Sequence, residues 1–332
     1  MDLDNRTTYP AYLFRAGIDE KRLAASLAVR VTYDIIDGRL VPSREQTWKF
    51  SPGPWKGPCG PMDGDEVFYR GGVDVLVFGH AHAPGGKSVT THDVLIEVGP
   101  ITRRVRVFGD RVWEKRWTGK FTISAPQTYT RMPLDLAYAY GGKDKWDGLD
   151  VPFSDNPDGK GFVADAARVV GVALPNLEDP EHLISAWEER PEPVGLGCCP
   201  TTSGLRLRNS VEINHQAALS KLKPSYYNSA FPRMIAPSLP AGTQVRLNGI
   251  AADGPLEFVI PDHRFAVHLA FGEERAECPL LIDQLGIECD VRRAFITWRY
   301  PFRYTMQPLQ KRACVLVETA PVTAAAPVGA AS

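Results

Sequence analysis

The chain has 332 residues, of which 44% are hydrophobic and 23% charged, and its formal net charge is −1. That length allows a large core or two domains, and the composition is that of a globular chain rather than a disordered one. The near-neutral balance argues against a dedicated nucleic-acid surface, which needs an excess of lysine and arginine to neutralise phosphates.

Glycine and proline are abundant, at 29 and 28 residues, which points to many turns and to β structure rather than a helical bundle. The start, MDLDNRTTYPAYLFRAG, carries early acids and no apolar run, so no signal peptide is expected there and the chain is expected to be cytoplasmic. No stretch reaches the ~18 apolar residues of a spanning helix, so no membrane partner is expected. The six cysteines, including the neighbours Cys198 and Cys199, form no C-x-x-C pair. Free thiols are expected, without a metal or other cofactor.

In chain order, Ala25 to Ile36 is rich in apolar and β-branched residues and reads as a strand. Asp37-Gly38 follows as a type I′ hairpin turn, and Leu40 and Val41 begin the return. Residues 42–72 form a Pro/Gly-rich loop carrying Trp48 and Trp55. Residues 73–117 read as a four-stranded meander: VDVLVFGHAHA, then HDVLIEV, then ITRRVRVF after Gly99-Pro100, then RVWEKRW after a two-residue turn at Gly109-Asp110. Residues 124–174 are loop-rich. PNLEDPEHLISAWEE (175–189) reads as a short helix, with Pro180 near its start and acids in its first turn. Glu212 to Lys223 reads as a second helix, stopped by Pro224. Strand patterns return at QVRLNGI, PLEFVI, RFAVHLAF, LLIDQLGIE, CDVRR and AFITWRY, and the small-residue tail is expected to be disordered.

His80 and His82 stand two apart and so share a strand face, where they could chelate a metal with His92 as a third ligand. The alternation argues otherwise. If 73–83 and 92–98 pair, the apolar faces align only when His92 lies opposite that of His80 and His82. A structural role is then favoured, with His80 hydrogen-bonded to Thr91 or Asp93. Arg131 reads as a buried, hydrogen-bonded arginine that orders its loop. There is no G-x-S-x-G elbow, no phosphate-binding P-loop and no dinucleotide fingerprint.

Six segments, in order, carry a resemblance: GHAHAPGG (79–86), VFGDRVW (107–113), FTISAPQTYTRMPLDLAYAYGG (121–142), NPDGKGF (156–162), LPNLEDPEHLI (174–184) and DVRRAFITWR (290–299). Together they resemble a bacterial family, labelled as a domain of unknown function, whose members lie in type VI secretion loci beside the spike protein VgrG and toxic effectors. The resemblance implies an effector adaptor or chaperone that holds an effector in the cytoplasm and helps load it onto the VgrG/PAAR spike. It implies no catalytic residues.

The expected fold is mainly β: antiparallel, meander- or sandwich-like sheets with long Pro/Gly loops and one or two short helices. The expected organisation is an N-terminal β region (1–123), a loop-rich middle (124–240), a C-terminal β region (241–318) and a tail (319–332), which together can form one composite domain. The expected partner surface is built from the loops 42–72 and 124–174, where Trp48, Trp55, Tyr129, Tyr138, Tyr140 and Trp146 concentrate aromatic area. The effector is the expected partner, with VgrG and PAAR as further ones. The rival functions are a metal-dependent hydrolase using His80 and His82, and a sugar-binding β module using exposed tryptophans.

Overall fold

The computed structural model describes residues 1–214 and 217–320. The protein is mainly β, with one short α-helix among the described residues, Gly204–Ser210, several single 3-10 turns and long loops. A large mixed sheet is centred on the strands Arg22–Ile36, Arg293–Thr305, Leu281–Glu288 and Val73–Phe78, in that spatial order. A four-stranded sheet comprises Leu3–Asn5, Arg312–Thr319, Arg264–Phe271 and Glu274–Pro279. Phe265, Val267, Leu269 and Leu316 of the smaller sheet share one hydrophobic core with Leu27, Val29, Val31 and Tyr33 of the larger. Among the described residues, no helix is long and apolar enough to cross a membrane.

The strand Arg22–Ile36 shows how sequence alternation builds two different faces. Its odd positions from Leu27 to Tyr33 enter the apolar core. Three of its even positions, Ser26, Arg30 and Thr32, are equally buried but polar, with the small Ala28 between them. Arg30 reaches Asp65 at 2.6 Å, Thr297 at 2.9 Å, Gln284 at 3.1 Å and the Lys49 carbonyl at 2.8 Å. Arg299 pairs with Asp283, and Arg70 pairs with Asp74, which also accepts from Asn228 and Ser229. A buried charge persists only when paired and hydrogen-bonded. The polar sheet face is therefore closed by the loop segments 49–70 and 227–229, which supply those partners.

Several turns fall as the sequence reads. Asp37 and Gly38 have φ of 48° and 72°, and Ile36 pairs with Arg39 across them. Thr91–Val98 and Ile101–Phe108 form a hairpin in which Val98 pairs with Ile101.

The continuous meander over 73–117 does not form. Val73–Phe78 lies between Leu281–Glu288, to which it is parallel, and Ile235–Ala236; Thr91–Val98 pairs instead with Gln244–Asn248 on its far side. All six residues of Val73–Phe78 are buried, including Asp74. A strand covered on both faces carries no in/out alternation, so the register comparison with 92–98 has no basis. Gly109-Asp110 is not a hairpin turn, because Trp113–Lys115 pairs with Phe121–Ile123 rather than with Ile101–Phe108. Gly109 is required for another reason: a Cβ there would lie 1.8 Å from the Gln127 carbonyl oxygen.

Neither predicted helix forms. At 175–189 acidic side chains take the backbone N–H groups a helix would use: Ile184 N donates to Glu178, and Ser185 N and Ala186 N donate to Glu189. Of the second segment, the described residues form an antiparallel pair, Val211–Asn214 with Ala217–Leu222. Val211 and Ile213 stand two apart, the strand period, and both are β-branched. CDVRR is no strand either; Cys289–Val291 is a 3-10 turn closed by Arg292 at φ 50°. The predicted tail lies almost wholly outside the described residues.

Candidate functional site: a cleft beside the histidine strand

The cleft is positioned by a parallel strand pair. Leu281–Glu288 runs alongside Val73–Phe78, with Glu288 opposite Phe78, so both strands end at the same level. After Phe78 the chain turns at Gly79, whose φ is 131°. A Cβ there would sit 3.1 Å from Cys289 Cβ and 3.3 Å from Asp290 Cγ. Glycine thus lets the Cys289–Val291 turn close against the start of the strand His80–His82. That strand pairs with Arg131–Pro133, with Pro133 opposite His80 and Arg131 opposite His82. The result is a cleft of about 480 Å³ lined by residues that include Cys59, His80, Leu134, Phe231, Glu288 and Asp290.

At its rim His80 Nδ1 lies 2.8 Å from Asp290 Oδ2, and Arg131 Nη2 lies 3.1 Å from the same oxygen. His82 Nε2 is 3.6 Å from Asp290 Oδ1. Burial would raise the Asp290 carboxyl, but the hydrogen bond and charge of His80, the Arg131 guanidinium and the His82 hydrogen bond outweigh it and hold it below the ordinary carboxylate range. His80 and His82 therefore meet one carboxylate through different oxygens, and the three do not converge closely enough to form a metal-holding group among the described residues. Arg131 already supplies the positive charge at Asp290 Oδ2, and a second cation would be repelled. Arg131 is half exposed rather than buried; it ties its strand to the Cys289–Val291 turn. His80 bonds to Asp290, not to Thr91 or Asp93. His92 is elsewhere, between the Tyr129 hydroxyl at 2.8 Å and the Gly249 carbonyl at 3.3 Å.

On the cleft floor Glu288 is 5% exposed. Its two oxygens accept from the Trp48 indole Nε1 at 2.7 Å and from the Cys59 thiol at 3.2 Å. Burial, then the charge and hydrogen bond of Glu288 and the charge of Asp290, push the Cys59 thiol up to about 12. At neutral pH it is a protonated donor, not a nucleophile.

The aromatic candidates divide. Trp48 is fully buried with its ring centroid 4.3 Å from that of Phe295, and Tyr140 is 3% exposed and donates to the Glu189 carbonyl. These two belong to the interior rather than to a partner surface. Trp55 packs edge-on against Trp48, Tyr129 donates to the Val107 carbonyl, and Tyr138 lies under Lys160; all three are half-buried. Trp146 alone of the six is open, at 57% exposure. It sits at the tip of the Lys143–Trp146/Leu149–Pro152 hairpin beside Leu149. Trp117, at the tip of the neighbouring Trp113–Lys115/Phe121–Ile123 hairpin, is 97% exposed. Trp113, Phe121 and Ile123 of this second hairpin join a separate small core with Leu174, Ile184 and the residues Tyr140 and Phe153 that flank the Lys143–Trp146/Leu149–Pro152 hairpin. Asp110 accepts from Asn176 Nδ2 at 3.0 Å and so ties the two segments of that region together.

The family comparison matches residues 20–299 to a model described as an uncharacterized protein conserved in bacteria, DUF2169. The chain belongs to that family. The matched span contains every wall of the cleft, from the Trp55–Gly57/Gly60–Met62 hairpin to the Cys289–Val291 turn. No curated protein and no solved structure matches the chain.

Sequence reading missed Glu288, Asp290 and Cys59. Glu288 and Asp290 end an apolar run more than 200 positions from His80, and only the parallel pairing brings them together. Asp179, Glu181 and His182 also lie close enough to share an ion, but Asp179 is already paired with Arg103 and Arg233.

Proposed function

We propose that this protein is a cytoplasmic adaptor, or chaperone, that binds a type VI secretion effector and helps load it onto the VgrG/PAAR spike. The motif resemblance across the chain supplies the system. The observation that carries the reading is that the two loop regions expected to form the partner surface meet at one cleft. Cys59–Pro61 comes from 42–72, and Pro133–Ala137 and Asp158 come from 124–174. Loops on a rigid β frame are a common means of recognition. The hairpin tips bearing Trp117 and Trp146 offer further aromatic area, the residue type most often found at binding hot spots. The hydrolase alternative is disfavoured by Arg131, whose guanidinium occupies the charge position a metal would need at His80 and Asp290.

The test is co-expression with each neighbouring gene product, followed by pull-down and a secretion assay. One effector should co-purify with this chain, and should become insoluble, short-lived or unsecreted when this chain is deleted. An effector that accumulates and is exported equally well without it would overturn the proposal.

A further inference from the structure

The charge inside the cleft is one-sided. Its lining carries Asp135, Asp158, Glu288 and Asp290 with His80, and no lysine or arginine among the described residues. Asp290 is answered by Arg131 at the rim, and the exposed Asp158 by Lys143 at 3.8 Å. Glu288 is different. Both its oxygens accept from uncharged donors; Arg293, opposite it in the strand pair, is turned to the Thr47 hydroxyl instead, and among the described residues no cationic group comes within ion-pair distance of Glu288. It is nevertheless more than nine-tenths buried. Buried charges in proteins are ordinarily paired, because withdrawing an ion from water is costly. One partner meets each oxygen, and the open side of the group faces the cleft, where a cation has access to it.

The walls say what kind of cation fits. Pro58, Pro61, Leu134, Leu136, Phe231 and Val291 line the space above Glu288. A bare metal ion would want several ligands converging on one point, and among the described residues no three of the acidic, histidine or cysteine groups of this lining lie close enough together to share one. An ammonium or guanidinium on an aliphatic stem satisfies both features: the head pairs with the carboxylate while the methylenes lie along apolar surface. We infer that the cleft takes one arginine or lysine side chain of a partner polypeptide, seated over Glu288. This rests on the adaptor reading for the polypeptide, and on the cleft alone for the cation. The exposed carboxylates of Asp135 and Asp158 at the mouth would favour its approach.

The full-length protein is titrated by calorimetry with the peptide Ac-Leu-Arg-Leu-NH2 and with its citrulline counterpart, which keeps the shape and loses the charge. The arginine peptide should bind saturably at one site, and the citrulline peptide about tenfold or more weaker. Glu288→Gln should remove that preference. Because Glu288 also holds Trp48 and Cys59, a second variant is needed: Ala137→Trp, at an exposed wall position, should fill the cleft and abolish binding. Equal binding of the two peptides, no saturable binding by wild type, or wild-type binding by Ala137→Trp would overturn the inference. Agmatine binding more tightly than the peptide would assign the cleft to a free amine and overturn the polypeptide assignment. The secretion assay fails or succeeds separately: charge-selective binding here with normal effector export in the deletion strain would sink the adaptor reading and leave the cation site standing.

Discussion

At the scale of single residues, two consequences are sharp. Gly109 has no space for a side chain, since its Cβ would overlap the Gln127 backbone. Gly109→Ala should therefore cost about 3 kcal/mol, because a backbone contact cannot rotate away as a flexible side chain can; chemical denaturation would measure it, and an unchanged midpoint would contradict the packing. The second consequence concerns His92 and His263. Burial lowers both below the ordinary histidine value, outweighing the raising effects of the Gly249 carbonyl and Asp93 at His92 and of Glu318 at His263. His263 Nε2 donates to Glu318 at 2.9 Å, and Nδ1 accepts from the Tyr33 hydroxyl at 2.6 Å. The folded protein thus binds these protons less readily than the unfolded chain. Their contribution is complete above the unfolded value of ~6.5 and is lost as pH falls through the lowered folded values. Melting temperature should drop on acidification from about pH 7 to about pH 5, and a His92→Gln/His263→Gln variant should show a shallower drop. Identical slopes in the two proteins would show that other groups govern that window.

At the scale of elements, the polar face of the central sheet is the most demanding construction. Asp74 is fully buried and accepts from Arg70, Asn228 and Ser229. Asp74→Ala leaves Arg70 with a diminished partner set in a dry setting and should cost about 3–5 kcal/mol, since breaking a buried pair strands the remaining charge. Urea denaturation tests it, and a loss below 1 kcal/mol, roughly the worth of a surface pair, would mean the network is hydrated. The tip of the Lys143–Trp146/Leu149–Pro152 hairpin should behave in the opposite way. Trp146→Ser with Leu149→Ser alters only exposed side chains and should change stability by less than about 0.5 kcal/mol. If the tip contributes to effector capture, the same variant should weaken pull-down of the effector while the melting curve stays put. The hairpin turns at Asp37-Gly38 and Gly99-Pro100 were legible because positive φ and turn chemistry are local. The pairing of Val73–Phe78 was not, because a strand buried on both faces has no alternation to read. The helix predicted at 175–189 failed because Glu178 and Glu189 capture its backbone donors, and the one at 212–223 because the β-branched alternation at Val211 and Ile213 is itself a strand signal.

At the scale of the whole molecule, the chain's two ends are interleaved. Arg293–Thr305 pairs along its entire length with Arg22–Ile36, and Arg312–Thr319 pairs with Leu3–Asn5. A fragment ending at residue 240 would expose the edge of Arg22–Ile36 and half of its core. It should be insoluble or bind a hydrophobic dye, whereas the full chain should give a strand-dominated circular dichroism spectrum; a soluble fragment with a native-like spectrum would contradict this. The sequence by itself determined the β class, most strand segments and the turns that join neighbours, because composition, alternation and turn residues act over a few positions. Only the tertiary structure decided which strands lie side by side, that Trp48 and Tyr140 are interior, and that His80, Glu288, Asp290 and Cys59 share one cleft. Those residues stand up to about 230 positions apart, and their meeting depends on a parallel pairing and a buried arginine network that no local pattern encodes.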